Sequence, residues 1–307
     1  MALTTTPVPT PTVQAPLPPR PTRRVDRTHY LFLLPAVAAF TLFITLPAAM
    51  GIFFSFTNSV GYGEWDFVGF ANYALMLTDP AILASYGFTL GFAAVTVVVT
   101  NLIAFLLAVG LTSRIRARVF LRAVFVIPMV VSAIIIAYVF NFLFSKSLPA
   151  AAQAVGFGPL EESILANPDL AWLSIVLVTA WQAIPGTMLI YIAGLVAIPR
   201  ELYEASSLDG ASAWQQIRTI TLPLMAGYVV INVILTFKNF LNAYDVIIGL
   251  TGGGPGTSTR SVAMTIFSGF DTGDYAYQMA NATIFFLIAL AIAMIQLRLM
   301  RGKGQAR

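Results

Sequence analysis

The sequence predicts an all-α integral membrane protein of six transmembrane helices, with the N- and C-termini on the cytoplasmic side. Three observations carry that expectation. Of the 307 residues, 58% are hydrophobic and only 10% charged, with a mean hydropathy of +0.83. A soluble chain carries roughly 25% charge, so a water-exposed surface cannot be assembled from this composition. Six stretches, 30–56, 82–111, 120–144, 170–198, 222–250 and 275–299, each exceed the roughly 20 apolar residues that cross a hydrocarbon core. Finally, placing the N-terminus inside puts 14 of the 17 Lys and Arg residues on the inner side. The outer loops instead gather Glu64, Asp66, Asp79, Glu161, Glu162, Asp169, Asp271 and Asp274. This is the asymmetry of the positive-inside rule, and the formal charge of +4 reports topology rather than affinity for nucleic acid.

Residues 1–29 hold seven prolines among Thr, Val and Ala, a composition for an extended, disordered cytoplasmic tail. The first apolar run is too long for a signal-peptide core and reads as an anchor. In the second, Gly87 and Gly91 form a GxxxG spacing that suits close helix packing. Residues 30–300 form the transmembrane domain, and 301–307 a basic tail. The chain has no cysteine and one histidine, His29, which removes disulfides, thiolate chemistry and His-cluster metal sites. A Ser–His hydrolase has no base in a pocket, and an aspartyl enzyme lacks a second intramembrane carboxylate beside Asp245.

The connection between the fourth and fifth runs is longer than a simple bundle needs. Pro199 and the acidic Glu201 and Glu204 suit the start of a helix, and Asp209-Gly210 suits its end. A second short helix begins at Ser212, with Trp214, Ile217 and Ile220 on one face, and Pro223 is expected to break it before the fifth span. Two short, partly apolar helices outside the bilayer suit a groove on another protein. The alternative is an amphipathic segment on the membrane surface, which the acidic first helix disfavours at an anionic inner leaflet.

The run Glu204-Ala205-Ser206, Asp209-Gly210-Ala211 and Ile220-Thr221-Leu222-Pro223 resembles the EAA motif of ABC-importer permeases, with Ser206 in place of the second alanine. Pro47, Ser55-Phe56, the run from Val68 to Tyr73, Ile184-Pro185-Gly186 and the Leu250-Thr-Gly-Gly-Gly-Pro255 loop are similar to the first permease of carbohydrate-type (maltose-type) systems. The resemblance runs from about residue 30 to the C-terminus. It implies the type I importer permease fold, a second permease subunit, two cytoplasmic ATPase subunits and an external sugar-binding protein. ATP and Mg would then be held by the ATPase, since this chain has no P-loop and no cofactor of its own. The resemblance further implies that Glu204, Ala205, Ser206, Leu208, Asp209, Gly210, Ala211, Trp214, Leu222 and Pro223 couple to the ATPase, with Glu204 as the charged contact and Gly210 setting the angle between the helices.

Polar groups within a membrane are costly and mark function. In the fifth run Lys238, Asn242 and Asp245 fall at i, i+4 and i+7, one stripe along a continuous helix, beside Asn239 and Tyr244. Lys238 either lines the pathway, or else snorkels outward or pairs with Asp245. Asn239 and Asn242 either bind sugar hydroxyls or bond neighbouring helices. The fourth run adds Trp181, Gln182 and Thr187 around Pro185-Gly186, where a kink would open a cavity. The family draws its substrate contacts from these two spans, which implies Trp181, Gln182, Gly186, Asn239, Phe240 and Asn242 here. A single pathway cation favours a neutral solute, a di- or oligosaccharide, over a glycerol-phosphate ester. A stand-alone secondary transporter would use Asp245 or Lys238 as its coupling charge but leaves the cytoplasmic helix pair without a role. Gly61–Asn72 and Thr251–Thr259 are candidate docking loops for the binding protein.

Overall fold

A computed structural model describes residues 27–113 and 118–304. The Pro-rich tail through residue 26, Arg114, Arg116 and the last three residues lie outside them. The chain divides into two units, Met1–Ala49 and Met50–Arg307. In the first, α1 (Arg27–Phe40) passes through a π-turn at Thr41–Thr45 into α2 (Leu46–Phe54), whose last residues belong to the second unit. Helix therefore begins three residues before Tyr30. The most apolar part of the first span, Leu31–Phe54, holds no residue buried within the chain.

The second unit continues with α3 (Ala71–Thr78), α4 (Pro80–Thr112), α5 (Arg118–Val130), α6 (Ala133–Phe142) and α7 (Leu148–Val155). After it come α8 (Pro168–Val196), α9 (Arg200–Leu208), α10 (Ala213–Gln216), α11 (Leu222–Leu241), α12 (Asp245–Leu250), α13 (Val262–Asp271) and α14 (Tyr275–Gly304). Among the described residues, six helices are long and apolar enough to span a membrane: Leu31–Phe54, Pro80–Thr112, Ala133–Val155, Pro168–Val196, Ala213–Leu241 and Tyr275–Arg298. The first, second, fourth and sixth agree with the sequence reading.

The third and fifth differ from it. Helix stops after Val130, two residues beyond Pro128, and restarts at Ala133. The spanning segment thus begins later and runs to Val155, taking in Lys146, which the sequence placed in an outer loop. Uninterrupted helix from Arg118 to Val155 would be far longer than a bilayer requires, and the break resolves this. In the fifth span Pro223 does not end the preceding helix. A π-turn at Ile217–Thr221 carries α10 into α11. The same device precedes Leu46-Pro47 and Leu148-Pro149, where π-turns occupy Thr41–Thr45 and Leu143–Ser147. A proline ring clashes with the carbonyl four residues back and offers no N–H. Widening the turn before it relieves both demands, and the helix continues.

The bundle is built on α4 against α8, its most extensive interface. The buried residues of α4 include many small and hydroxylic side chains, Ser85, Thr89, Ala93, Thr96, Thr100, Ala104 and Ala108, and α8 likewise buries Ala171, Ser174, Thr179 and Ala180. Small residues let two helix backbones approach where lipid supplies no hydrophobic drive. Gly87 and Gly91 do not serve this purpose: they lie on an exposed face, with open space where a Cβ would be. One apolar cluster gathers Phe92, Ile136, Ile175, Phe240, Ile247 and Leu250, and a second gathers Ala108, Met188, Tyr191 and Met225 near the α9–α10 end.

At the other end the Val68–Tyr73 run acquires a physical role. Asn72 Nδ2 donates to the carbonyls of Ser55 (2.9 Å) and Thr57 (2.8 Å), and Tyr73 OH meets Ser55 Oγ at 2.5 Å. These bonds fasten the loop to the end of α2. An isolated bridge between Thr57 and Phe67 closes it.

Candidate functional site

The coupling candidates occupy one compact corner. Pro199 stands at the N-cap of α9, and Glu201 falls in its first turn. The helix ends in a Schellman turn. Gly210 takes φ +81°, its N–H donates to the Ser207 carbonyl (3.1 Å), and the Ala211 N–H donates to the Ser206 carbonyl (3.0 Å). Only glycine adopts that backbone without strain. Helix α10 opens on a capping box: Gln215 N–H reaches Ser212 Oγ (3.4 Å), and Ser212 N–H reaches Gln215 Oε1 (2.7 Å).

Gln216 joins the two helices. Its Nε2 donates to Ser206 Oγ (2.9 Å), Ser207 Oγ (2.8 Å) and the Tyr203 carbonyl (3.3 Å). Tyr203 OH lies 2.9 Å from Thr221 Oγ1, so α9 is also tied to the start of the fifth span. Ser206, a departure from the motif by sequence, is thus a bonding partner rather than a neutral replacement. Outside this stapled interior, Leu208 is 90% exposed and Trp214 69%, and Glu204, Ala205 and Asp209 are exposed beside them. Leu222 and Pro223 lie at the first turn of α11 and are exposed too. A cavity of about 660 Å3 separates the inner side of α9–α10 from the C-terminal ends of α4 and α8.

The substrate candidates are placed less uniformly. Trp181 and Gln182 sit midway along α8, with Trp181 42% exposed and edge-on to Phe140 at 5.4 Å. Gln182 Nε2 donates to the Val131 carbonyl at 3.0 Å, which satisfies a backbone group freed by the α5–α6 break. Gly186 stands close to Met129, whose sulfur lies 3.4 Å from where a Cβ would be. Pro185 is buried, and α8 runs through it as helix.

The predicted stripe of Lys238, Asn242 and Asp245 is not formed. Helix α11 stops at Leu241, and Asn242 turns back as its C-cap, with Nδ2 on the Lys238 carbonyl at 2.9 Å. Asp245 begins α12, where a carboxylate suits the positive helix end. Lys238 lies in the last turn of α11 beside the negative end, and both it and Asn239 are exposed. Phe240 does not face an open pathway: it is 4% exposed and packs edge-on to Phe92. Asn101, Asn232 and Asn281 are buried and bonded within the bundle.

Comparison with known proteins agrees with this architecture. Residues 100–301 match the family described as binding-protein-dependent transport system inner membrane component. The multiple sugar-binding transport system permease protein MsmF of Streptococcus mutans is 32% identical over 88% of this chain and 94% of its own length. The trehalose/maltose transport system permease protein MalF of Thermococcus litoralis is 32% identical over 91% of this chain and 95% of its own. Among solved structures, a chain of a bacterial ABC transporter involved in alginate import superposes with a TM-score of 0.79 at 20% identity, over 90% of this chain and 96% of that one. The chain belongs to the binding-protein-dependent transport system inner membrane components: it is a multi-pass transport subunit and not an enzyme.

Proposed function

We propose that the chain is one permease subunit of an ATP-driven sugar importer. It supplies half of the translocation pathway, pairs with a second permease, and takes its driving force from a pair of ATPase subunits, one of which grips α9–α10. The termini and α9–α10 face the cytoplasm, and an external binding protein delivers a neutral di- or oligosaccharide to the opposite end. The observation that carries this reading is the α9–α10 corner, braced internally by Gln216 and Tyr203 yet presenting Leu208 and Trp214 bare. Exposed apolar tips on a rigid scaffold where the fourth and fifth spans meet fit a protein groove. The names of the sugar-transport relatives support the solute class. A similar structure described with a periplasmic protein bound to an alginate pentasaccharide supports carbohydrate as the class but not its charge, since alginate is acidic. Relatives named for sn-glycerol-3-phosphate transport are less similar, at 28% identity. Trp181, Gln182, Asn239 and Asn242 are the pathway groups in this scheme, through ring stacking and amide hydrogen bonds.

The test is purification of the tagged chain from its host in mild detergent, with the co-purifying chains identified and ATPase activity assayed. A second permease and an ATPase are expected. Gly210→Pro forces φ from +81° to about −65° and is expected to leave membrane insertion intact while abolishing sugar uptake. Unimpaired uptake in that variant, or recovery of the chain alone, defeats the proposal.

A further inference from the structure

Arg260 has no part in the scheme above. It departs from the charge asymmetry and lies at the far end of the fifth span from α10. Ala213–Leu241 covers 29 residues, about 43 Å of helix. Beyond it the chain folds back through α12, the glycine-rich loop and α13. These enclose a cavity of about 250 Å3 lined by Tyr244, Gly253, Arg260, Ser268 and Asp271 among others.

The backbone on both sides of Arg260 is pinned. Thr259 is fully buried, its hydroxyl donates to the Gly254 carbonyl (2.7 Å) and meets Thr251 Oγ1 (2.8 Å), and its N–H reaches the Gly253 carbonyl (3.2 Å). Ser261 Oγ donates to the Ala243 carbonyl in the α11–α12 break (3.2 Å), and Val262 N–H donates to Thr89 Oγ1 of α4 (2.9 Å). The guanidinium donates to Ser268 Oγ, a neutral acceptor, which leaves other donors of its five-proton fork for the cavity. Tyr244 is braced by Phe267, with ring centres 5.0 Å apart. Gly253, at φ +88°, brings bare backbone to the wall; a Cβ there would lie 3.1 Å from the Met264 methyl.

A half-buried cation, a carboxylate, a hydroxyl and an aromatic ring thus line one small space. An anion would gain from Arg260 but meet Asp271. A neutral polyol uses both, since its hydroxyls accept from the guanidinium and donate to the carboxylate. The volume lies below the roughly 300–1,000 Å3 of pockets for drug-sized ligands, so it takes a single ring rather than a chain. The geometry points to an outer subsite for one neutral pyranose ring, reached through Tyr244 at the α11–α12 break. This assignment rests on the importer reading and deepens it.

The test uses the complete importer in nanodiscs without its binding protein, with saturation-transfer NMR to methyl α-D-glucopyranoside and its galacto and manno epimers. sn-Glycerol 3-phosphate and glucuronate serve as anionic comparators. Transfer to at least one neutral ring is expected, weakened about tenfold or more by Arg260→Gln, which removes charge-assisted hydrogen bonds, and also reduced by Asp271→Asn and Tyr244→Leu. Arg260→Lys retains the charge, and co-purification of the other subunits checks folding of each variant. No transfer to any neutral ring, or anions binding more tightly than all three, overturns the subsite. In a parallel arm, vesicles with the binding protein are given a panel of neutral di- and oligosaccharides. If the unaltered complex takes up none, the importer reading itself fails. If uptake proceeds and neither binding nor uptake responds to Arg260→Gln or Asp271→Asn, only the subsite fails.

Discussion

Gln216 does more for the α9–α10 corner than any residue of the motif that identifies it. One amide nitrogen reaches two hydroxyls and a carbonyl across the turn at Gly210, so the angle between the helices is held by side-chain bonds as well as by the left-handed glycine. In the importer proposed above, a corner without that brace would bend under force applied at Leu208 or Trp214 instead of moving α11. Gln216→Leu keeps the size and helix propensity but removes all three bonds. At a half-exposed site water replaces part of the loss, so the destabilisation is about 1–2 kcal/mol. The functional loss is expected to be larger. ATPase subunits still co-purify, while sugar moved per ATP hydrolysed falls severalfold. A variant with an unchanged ratio shows that the glycine turn alone fixes the angle.

At the scale of elements, the instructive residues are prolines and glycines. The sequence made the number of spans legible, since length and apolarity decide them. It did not make their interruptions legible. Pro223 looked like a stop but sits behind a π-turn, as do Pro47 and Pro149. Of the real stops, the one after Val130 falls in apolar sequence and is supported by a tertiary partner, Gln182 on the Val131 carbonyl, whereas the one after Leu241 is made locally by Asn242 capping the Lys238 carbonyl. Likewise the helix pair α9–α10 was readable because its glycine and caps act locally, whereas the predicted polar stripe assumed a continuous helix that Asn242 ends. The break leaves α12 free to lie against α6, where Gly249 allows close approach. A Cβ there would sit 2.7 Å from Ala137 Cβ and 3.0 Å from Ile134 Cδ1. Gly249→Val should therefore destabilise the fold by about 1–3 kcal/mol through overpacking, read as a lower thermal midpoint in detergent. Wild-type stability in that variant means the α6–α12 contact is looser than it looks.

Across the whole molecule, the helices continuous with the coupling corner are also those linked by buried polar bonds. Helix α8 leads into α9, α10 leads into α11, and α4 packs against both α8 and α11. Tyr191 OH of α8 donates to Asn101 Oδ1 of α4 at 2.7 Å, and Asn101 Nδ2 donates to Thr236 Oγ1 of α11 at 3.1 Å. Asn232 Nδ2 of α11 returns to the Thr187 carbonyl of α8 at 3.2 Å. In hydrocarbon surroundings these bonds have no competing water, yet interhelical hydrogen bonds in membranes average only about 0.6 kcal/mol, with a maximum near 1.7. Their main effect is geometric, tying α4, α8 and α11 to one another. A double-mutant cycle on Tyr191→Phe and Asn101→Leu measures this directly. Each single change leaves a polar partner without its bond, and the double change removes both, so a coupling energy of about 0.6–1.7 kcal/mol is expected from unfolding in detergent. Transport should behave differently from stability. If the three helices move together, either single change lowers uptake about as much as the double change, because breaking the link once suffices. Independent, multiplying losses in uptake, with no coupling in stability, would show that the corner drives α11 alone.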